Sequence, residues 1–408
     1  MTARPRIAVT GLGIVCALGR DQDEFWASAL AGRTGFGALD LFDTSGCKTN
    51  VAAQVHGGAR ARRDEARRAS RTDLFCMTAA GEAVAQAGLT PPASDSALAR
   101  FGVSMGSSTA GMLETERRCL EGLARGFERR PFSGALRLPN SVPADAVADM
   151  LGAAGPRLSN MTACASSALS IAHAADLIRS GEAPGMVAGG GDALCLMTYA
   201  GFGALRLLDT RACRPFDAAR QGLSLGEGAG VMVLERWDHA AARGAKPLAE
   251  FLDYGASCDA HHMTAPHPDG RGAAAAMAEA LARSGISADR IGHVNAHGTG
   301  TALNDAAEAR ALLAIFGATG VKGIPITSTK SMIGHLLGGS GGLEAVVLVL
   351  SLIHQTAPET LGWESCDGEM TTFDIVAHGP RPLACDYGMS NSFGFGGANC
   401  SLVFARIP

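Results

Sequence analysis

The sequence predicts an α/β layered fold, and three observations support that prediction. Short apolar strands alternate with alanine-rich helical segments along the chain. Glycine accounts for 53 of the 408 residues without any Gly-X-Y period, so the glycines must serve turns, close packing and backbone groups near a ligand. Two polar segments, 159–167 and 328–335, each open an apolar helix, and they lie about half a chain length apart.

The strands are predicted where apolar residues run into a glycine turn or a polar loop. Six such segments, in chain order, are 7–10, 101–105, 185–189, 230–234, 291–295 and 324–328. The two helices run from residue 164 through about Ile178 and over Leu343–His354. The pattern alone leaves two explanations open for this coarse repeat: a duplicated fold, or coincidence between two ordinary strand–helix units.

Charge and hydropathy exclude several classes of protein. Lys and Arg number 35 against 39 Asp and Glu, a formal net charge of −4, whereas a nucleic-acid-binding protein would show a basic excess. Apolar runs stay short of the roughly 18 residues of a membrane span, and the longest candidate is Ala345–Ile353. The N-terminus lacks the pattern of a signal peptide. We expect a cytoplasmic protein that binds neither nucleic acid nor membrane.

The pattern of the eleven cysteines argues against a disulfide framework or a metal site and leaves a single nucleophilic cysteine as a possibility. Their number is odd, their spacing is scattered and no Cys-x-x-Cys pair occurs, so neither a disulfide framework nor a metal site is expected. Cys164 differs because it lies among small residues where a helix is predicted to begin. A helix N-terminus lowers the pKa of a thiol, which favours the nucleophilic thiolate. The alternative is a buried structural cysteine.

Two histidines and a lysine lie in glycine-rich surroundings that suit a ligand site. His297 follows a predicted strand in a Gly/Thr-rich loop, and His335 lies in a similar loop. Neutral imidazoles there can donate hydrogen bonds to a developing enolate oxygen. Lys330 is one of only four lysines and precedes His335 by five residues, although a solvated surface lysine would look the same.

A glycine-spaced aromatic loop occupies residues 391–399. It carries Phe393 and Phe395 among glycines and small polar residues. Such a loop can bring a backbone N–H close to a ligand and can move as a gate. A β-turn packed by two phenylalanines is the alternative.

Taken together, the motifs resemble those of the elongating β-ketoacyl-acyl-carrier-protein synthases. The resemblance covers essentially the whole chain, in the family's order. The segments that carry it are 162–167 (TACASS), 214–217 (RPFD), 226–230 (GEGAG), 295–299 (NAHGT), 330–335 (KSMIGH) and 391–397 (NSFGFGG). It implies a duplicated thiolase fold with five layers, α-β-α-β-α, and two similar halves with mixed sheets. Residues 1–250 would hold the cysteine nucleophile and residues 251–408 the catalytic histidines.

The reaction that the resemblance implies is a decarboxylative Claisen condensation, which makes the protein an acyltransferase. Cys164 would take an acyl group from a carrier-protein thioester, with the N–H groups of Cys164 and Phe395 holding the oxyanion. Decarboxylation of malonyl carrier protein would give an enolate held by His297 and His335. That carbanion would attack the acyl-cysteine, and covalent catalysis of this kind splits one hard step into two.

The resemblance assigns further residues around this centre. Lys330 would pair with Glu344 and hold His335, while Asp305 would support the site. Thr299 and Thr301, with Thr264 beside them, would contact the phosphopantetheine arm. The remaining expected roles are the gate and the acyl pocket: Phe395 and Phe393, then Thr109 and Phe202. Neither a metal nor a resident cofactor is implied, because the phosphopantetheine arrives on the carrier protein.

Thr109 departs from the family pattern, because housekeeping fatty-acid enzymes usually carry a bulkier apolar residue there. This leaves two pathways open: housekeeping fatty-acid elongation, or a polyketide or aryl-polyene ketosynthase that works with a chain-length-factor subunit. The expected partners are acyl carrier protein, loaded with acyl or malonyl groups, and a second subunit in a homodimer or such a heterodimer.

The carrier protein is acidic, so basic residues are the expected docking surface. The arginines predicted to form it are Arg67, Arg68, Arg71, Arg129, Arg130 and Arg211. A solvated helix face, paired internally with Asp64 and Glu65, is the alternative.

Three rival interpretations share parts of this pattern. A thiolase needs a second cysteine as base, and Cys385 and Cys400 are available, but the 393–397 loop stands where the thiolase loop would be. A non-catalytic chain-length factor would lack the nucleophile that Cys164 provides. A dinucleotide-binding domain is disfavoured because Cys16 occupies the position of the third glycine.

Overall fold

Strands and helices alternate along the chain in the computed structural model, which describes residues 4–57, 69–91, 97–127 and 136–407. The strands in these ranges are β1 (Ile7–Cys16), β2 (Gly37–Ala38), β3 (Val51–Ala52), β4 (Gly102–Gly106), β5 (Arg157–Asn160), β6 (Gly185–Asp192), β7 (Gly228–Arg236), β8 (Ala249–Cys258), β9 (Ile291–Asn295), β10 (Pro325–Thr327), β11 (Thr356–Ala357), β12 (Asp374–Ile375), β13 (Arg381–Pro382), β14 (Tyr387–Phe393) and β15 (Ala398–Arg406).

The helices of the same ranges cover both halves of the chain. They are α1 (Gln22–Leu30), α2 (Arg71–Gln86), α3 (Met112–Arg125), α4 (Val142–Leu151), α5 (Ser166–Ser180), α6 (Leu196–Ala204), α7 (Trp237–Ala242), α8 (Arg271–Ser284), α9 (Ala302–Gly320), α10 (Lys330–Ile333) and α11 (Ser340–His354).

The two halves of the chain use the same strand order. The first half runs β1-β7-β6-β4-β5 across the sheet, and the second runs β8-β15-β14-β9-β10, with β12 added at its edge. Each half has the same mixture of antiparallel and parallel pairs in the same places. The coarse repeat is therefore a duplicated fold, and the fold prediction is confirmed. β8 spans the predicted division at residue 250, which stays a prediction.

The halves join through a short pairing of β1 with β8. Three antiparallel residue pairs link them: Ile7 with Phe251, Ala8 with Glu250, and Val9 with Ala249. The two mixed sheets that we expected thus form one continuous sheet of eleven strands in the described part of the chain.

The helices form layers on and between these strands. α5 and α11 each contact strands of both halves and lie in the centre. α2 covers β1, β6 and β7 on one outer side, while α8 covers β8 and β15 on the other, with α9 packed on α8. The arrangement is α-β-α-β-α, as predicted.

The central position of α11 explains its composition. In the described ranges, the helical stretch Leu337–His354 is long and apolar enough to cross a membrane, which differs from our estimate of shorter apolar runs. However, 89% of it is buried inside the protein, as expected for a core helix packed on every side.

Small residues let the two central helices approach closely where they begin. A Cβ added at Gly341 would lie 2.8 Å from the Cβ of Ala168, so the start of α11 packs directly against α5. The backbone N–H of Gly342 donates to Ser167 Oγ at 2.7 Å across the same contact. This approach brings the residues before α5 and the residues before α11 to one place.

Candidate active site

The nucleophile turn, residues 162–165, lies directly before α5. Ala163 has φ 48°, a left-handed conformation that non-glycine residues seldom adopt. Ser166 stabilises the turn by donating its hydroxyl to the Ala163 carbonyl at 2.6 Å and accepting the N–H of Thr162 at 2.9 Å. The turn aims the Cys164 sulfur toward a cavity and leaves the start of α5 beneath it.

The histidine turn, residues 335–339, lies directly before α11 and fixes one imidazole. The backbone N–H of Leu337 donates to His335 Nδ1 at 3.0 Å, and Ser340 Oγ lies 2.8 Å from the same nitrogen. Because a backbone N–H can only donate, Nδ1 must be the acceptor and the proton of neutral His335 must sit on Nε2. That Nε2 lies 3.1 Å from Cys164 Sγ.

Lys330 fixes the other imidazole. Its ammonium contacts Glu344 Oε1, the carbonyl of His297 at 2.6 Å and His297 Nδ1 at 3.3 Å. An ammonium has three donors and no acceptor, so His297 Nδ1 accepts and its proton also sits on Nε2. The expected Lys330–Glu344 pair is present, but Lys330 holds His297 and not His335, which corrects our expectation.

The protonation states of the three groups follow from burial and from the Lys330 charge. Burial, with the Lys330 charge adding to it, holds the pKa of both His297 and His335 well below the usual 6.5, so both are neutral. Burial raises the pKa of Cys164 to about 11, although Lys330 and the N–H of Phe395 act to lower it. The expectation of a lowered thiol pKa at the helix start is therefore wrong: desolvation outweighs the nearby positive groups.

These groups face a cavity of about 290 Å³. Phe395 and Phe202 lie on its wall with ring centroids 5.6 Å apart, while Phe393 packs edge-on against His297. A Cβ added at Gly394 would lie 2.9 Å from the Thr162 carbonyl oxygen and 3.1 Å from Cys164 N. Glycine is thus needed for the 394–397 loop to bring the Phe395 N–H to the Cys164 sulfur.

Comparison with known proteins identifies the family to which the chain belongs. Residues 4–240 match the family described as "Beta-ketoacyl synthase, N-terminal domain", and residues 248–364 match "Beta-ketoacyl synthase, C-terminal domain". The chain belongs to the β-ketoacyl synthase family.

Similar proteins align over nearly the whole length of this synthase. The 3-oxoacyl-[acyl-carrier-protein] synthase 2 of Vibrio cholerae is 39% identical over 99% of this chain and 100% of the relative. A solved structure titled the ishigamide ketosynthase/chain length factor has a TM-score of 0.91 at 32% identity, with both chains fully covered. Another, a type II PKS acyl-carrier protein in complex with its ketosynthase (AntDE:AntF), has a TM-score of 0.88 at 29% identity, covering 99% of this chain and 100% of the other.

The synthase places the three predicted threonines on the wall of its cavity. Thr264, Thr299 and Thr301 all line it, and the hydroxyls of Thr299 and Thr301 lie 2.9 Å apart. Asp305 accepts the N–H groups of Thr299 and Gly300 at 3.1 and 3.2 Å, so it shapes the loop as a supporting residue would. Their predicted contact with phosphopantetheine stays a prediction.

Thr109 lies elsewhere than expected. It is buried, does not line the cavity, and donates its hydroxyl to Asp192 Oδ1 at 2.8 Å. The other predicted acyl-pocket residue, Phe202, does line the cavity. The hydroxyl of Thr109 therefore satisfies an internal carboxylate, and it does not make the pocket polar.

The predicted docking arginines divide into three groups. Arg71 pairs with Glu227 and donates to the Val55 carbonyl at 2.6 Å, so it belongs to the interior network and is not free to bind a carrier protein. Arg211 is exposed. The rest lie outside the described residues: Arg67, Arg68, Arg129 and Arg130.

Glu308 is a site residue that the sequence analysis missed. Its carboxylate accepts the N–H groups of His297 and Gly298, both at 2.8 Å, and burial raises its pKa to about 7. A usable signal was present, since Glu308 follows Asp305 by three residues and therefore shares its face of α9. The carboxylates of Asp305 and Glu308 both accept backbone N–H groups from the loop that follows β9.

The same centre has the spacing of a metal site but not its chemistry. Among the described residues, ligand atoms of Cys164, His297 and His335 lie within 4.8 Å of one another. However, both Nδ1 atoms accept hydrogen bonds, so each Nε2 that faces Cys164 carries a proton and offers no lone pair. The donor set fits hydrogen-bond donation better than metal binding.

Proposed function

We propose that this chain is a β-ketoacyl-acyl-carrier-protein synthase that condenses malonyl carrier protein with a cysteine-bound acyl group. The observation that supports this most directly is the convergence of one thiol and two Nε2–H donors at the cavity wall. One sulfur next to two fixed donors suits a reaction in which an acyl group is held covalently while an enolate forms beside it.

In the first half-reaction, Cys164 attacks the acyl carrier-protein thioester. A carbon–sulfur bond forms to Cys164, the bond to the pantetheine sulfur breaks, and the departing pantetheine thiolate takes up the proton that Cys164 loses. His335 cannot take that proton while Nδ1 accepts the Leu337 N–H, so its Nε2–H stabilises the thiolate by donating to it. The backbone N–H groups of Cys164 and Phe395 bind the oxyanion.

In the second half-reaction, malonyl carrier protein loses carbon dioxide. The carbon–carbon bond electrons become an enolate, whose oxygen accepts from the Nε2–H groups of His297 and His335. Its carbon attacks the acyl carbonyl on Cys164, a new carbon–carbon bond forms, and the Cys164 thiolate leaves. Since donors of fixed direction stabilise each charge as it develops, we propose that neither a metal nor a resident cofactor takes part.

The second subunit is proposed to bind at the β5 edge of the sheet. β5 pairs only with β4 in the described chain, and its other side is an open edge. Met161, directly after β5, is an exposed apolar side chain, and so are Leu120 and Leu123 on α3 and Phe127 just after it. An identical subunit or a chain-length factor would cover them, and we propose a cytoplasmic enzyme of either the fatty-acid or the polyketide type.

A thiolase remains the rival activity, but the cysteines it would need are badly placed. Cys385 and Cys400 are buried, and neither lines the cavity. The synthase proposal therefore accounts for the site with the residues that face it.

The test supplies the purified chain with acyl carrier protein carrying an acyl group and with labelled malonyl carrier protein. We expect labelled β-ketoacyl carrier protein by mass spectrometry and one carbon dioxide released for each product. Cys164→Ala should form no product, and Cys47→Ala, which changes a partly exposed cysteine away from the cavity, should retain full activity. Product formation by Cys164→Ala, or turnover of acetyl-coenzyme A pairs without malonyl groups, would contradict the proposal.

A further inference from the structure

Asp192 ends strand β6 as a completely buried carboxylate. In the described part of the chain no arginine or lysine pairs with it, and its hydrogen-bond partners all donate to it. A buried charge without a cation is costly unless each lone pair is satisfied. The position therefore demands a reason beyond packing.

The donors come from two loops that are remote in sequence. The loop after β4 contributes Ser107 Oγ at 2.6 Å, the N–H of Ser108 at 2.9 Å, and both the N–H and the hydroxyl of Thr109 at 2.8 Å. The histidine turn contributes the N–H of Gly338 at 2.7 Å. Asp192 thus ties the two loops together at one carboxylate.

The bond to Gly338 acts on the residue that fixes His335. Leu337 has φ 50°, a strained left-handed conformation, and its N–H sets the tautomer of His335. A Cβ added at Gly338 would lie 2.8 Å from Asp192 Oδ2 and 2.7 Å from Ser108 N, so the turn is pressed directly onto the carboxylate. Asp192 therefore holds the peptide that follows Leu337.

The other loop reaches the nucleophile turn. Ser108 donates its hydroxyl to the carbonyl of Ala163 at 3.3 Å, the residue with φ 48° that precedes Cys164. Ala110 in the same loop has φ 42°, and its N–H donates to Ser107 Oγ at 2.9 Å. Three strained non-glycine residues are thus linked to one carboxylate through their neighbours, and two of them adjoin catalytic groups.

We infer that Asp192 is a positioning residue, which holds the Leu337 N–H on His335 and, through Ser108, the turn behind Cys164. It touches no reactant and acts only through the backbone of the two turns. The inference rests on the proposed function, since it names a residue that positions the two turns on which the two half-reactions depend.

Asp192→Asn is the informative substitution because it keeps shape and removes acceptors. Each carboxylate oxygen accepts at least one backbone N–H, which can only donate, so whichever oxygen becomes the amide NH2 places an N–H against another N–H. We expect the histidine turn to relax and the Leu337 N–H to leave His335. Decarboxylation of malonyl carrier protein should fall at least tenfold, with the circular dichroism spectrum unchanged.

The matched control is Glu82→Gln. Glu82 is a half-buried carboxylate that also accepts backbone N–H groups, those of Ile14 and Gln22 at 2.9 and 2.8 Å, but it does not line the cavity. We expect decarboxylation within twofold of the wild type. An equal loss in both variants would mean that any carboxylate accepting backbone N–H groups matters equally, and would overturn the inference.

A double variant separates positioning from general destabilisation. If Asp192 acts through His335, the change Asp192→Asn should slow decarboxylation no further in a His335→Ala background. Effects that multiply would overturn the inference. If Asp192→Asn does not fold, Ser107→Ala removes one donor to Asp192, together with the acceptor of the Ala110 N–H, and should reduce the rate about threefold; an unchanged rate would then reject the role. Failure of the proposed function is distinguishable, because the wild type itself would release no carbon dioxide.

Discussion

The nucleophile turn and the histidine turn are counterparts in the two halves of the fold, yet one presents a nucleophile and the other a hydrogen-bond donor. Each precedes a central helix, α5 or α11, and each contains a left-handed non-glycine residue, Ala163 or Leu337. The first presents a sulfur whose pKa burial raises to about 11. The second presents an imidazole that a backbone N–H keeps as a donor. Duplication set the positions of the two groups, and local hydrogen bonds set what each does.

The largest effects should come from removing one turn's reactive group at a time. Cys164→Ala should abolish transfer of the acyl group to the protein yet still release carbon dioxide from malonyl carrier protein. His335→Ala should slow decarboxylation about 10²–10³-fold, the usual loss for one oxyanion donor, while acylation should continue at a reduced rate because the thiolate loses the Nε2–H donor. Acyl-enzyme mass and carbon dioxide release measure the two steps separately.

The control for this pair is His354→Ala, which changes a histidine at the exposed end of α11 that stacks on Trp26 and lies outside the cavity. Both steps should continue at wild-type rates. If Cys164→Ala and His335→Ala lost the same step to the same extent, the division of labour between the turns would be wrong.

The sequence predicted the six strands and the two polar segments that open apolar helices, because these features depend on local pattern. It did not reach β8, β14 and β15, whose mixed polar and small residues become strands only through long-range pairing. The family resemblance implied that Cys164 and His335 belong to one catalytic centre, and the structure places Sγ 3.1 Å from Nε2.

Other features depended on distances that spacing along the chain cannot supply. Lys330 lies five residues before His335, but its side chain contacts His297. The two residues are close because β9 and β10 are paired parallel strands, and His297 follows β9 while Lys330 follows β10. The raised pKa of Cys164 comes from burial by both halves of the fold. The role of Asp192 depends on donors at Ser108 and Gly338, which meet only in the folded chain.

Intermediate effects should come from the cation between the turns. The positive charge of Lys330 lowers the pKa of Cys164, so Lys330→Met should raise that pKa and slow alkylation by iodoacetamide at fixed pH. At a pH below the pKa, the thiolate fraction falls about tenfold when the pKa rises by one. In the wild type, the alkylation rate should rise about tenfold per pH unit from pH 7 toward the pKa of about 11, and in the variant the whole profile should move to higher pH.

Lys330→Met leaves Glu344 buried without its partner, so the double variant Lys330→Met/Glu344→Gln tests the same charge in a neutral site. Lys322→Met, at an exposed lysine, is the matched control and should keep the wild-type profile. If the wild-type alkylation rate instead levels off near pH 7, Cys164 is a thiolate at neutral pH. Burial would then not be the dominant influence on the pKa of Cys164.

The smallest effect should come from relieving backbone strain in the nucleophile turn. Glycine adopts φ near 50° freely, so Ala163→Gly gains about 1 kcal/mol of relieved strain and loses about 0.5–1 kcal/mol to the greater freedom of its unfolded chain. The free energy of unfolding should stay within about 0.5 kcal/mol of the wild type. Leu337→Gly gains the same relief but empties a buried leucine site, which costs about 2–5 kcal/mol, so it should be clearly destabilised. Urea midpoints of the two variants, measured at one protein concentration, compare them directly. Equal midpoints would mean that Leu337 contributes no packing and that its strained backbone alone shapes the histidine turn.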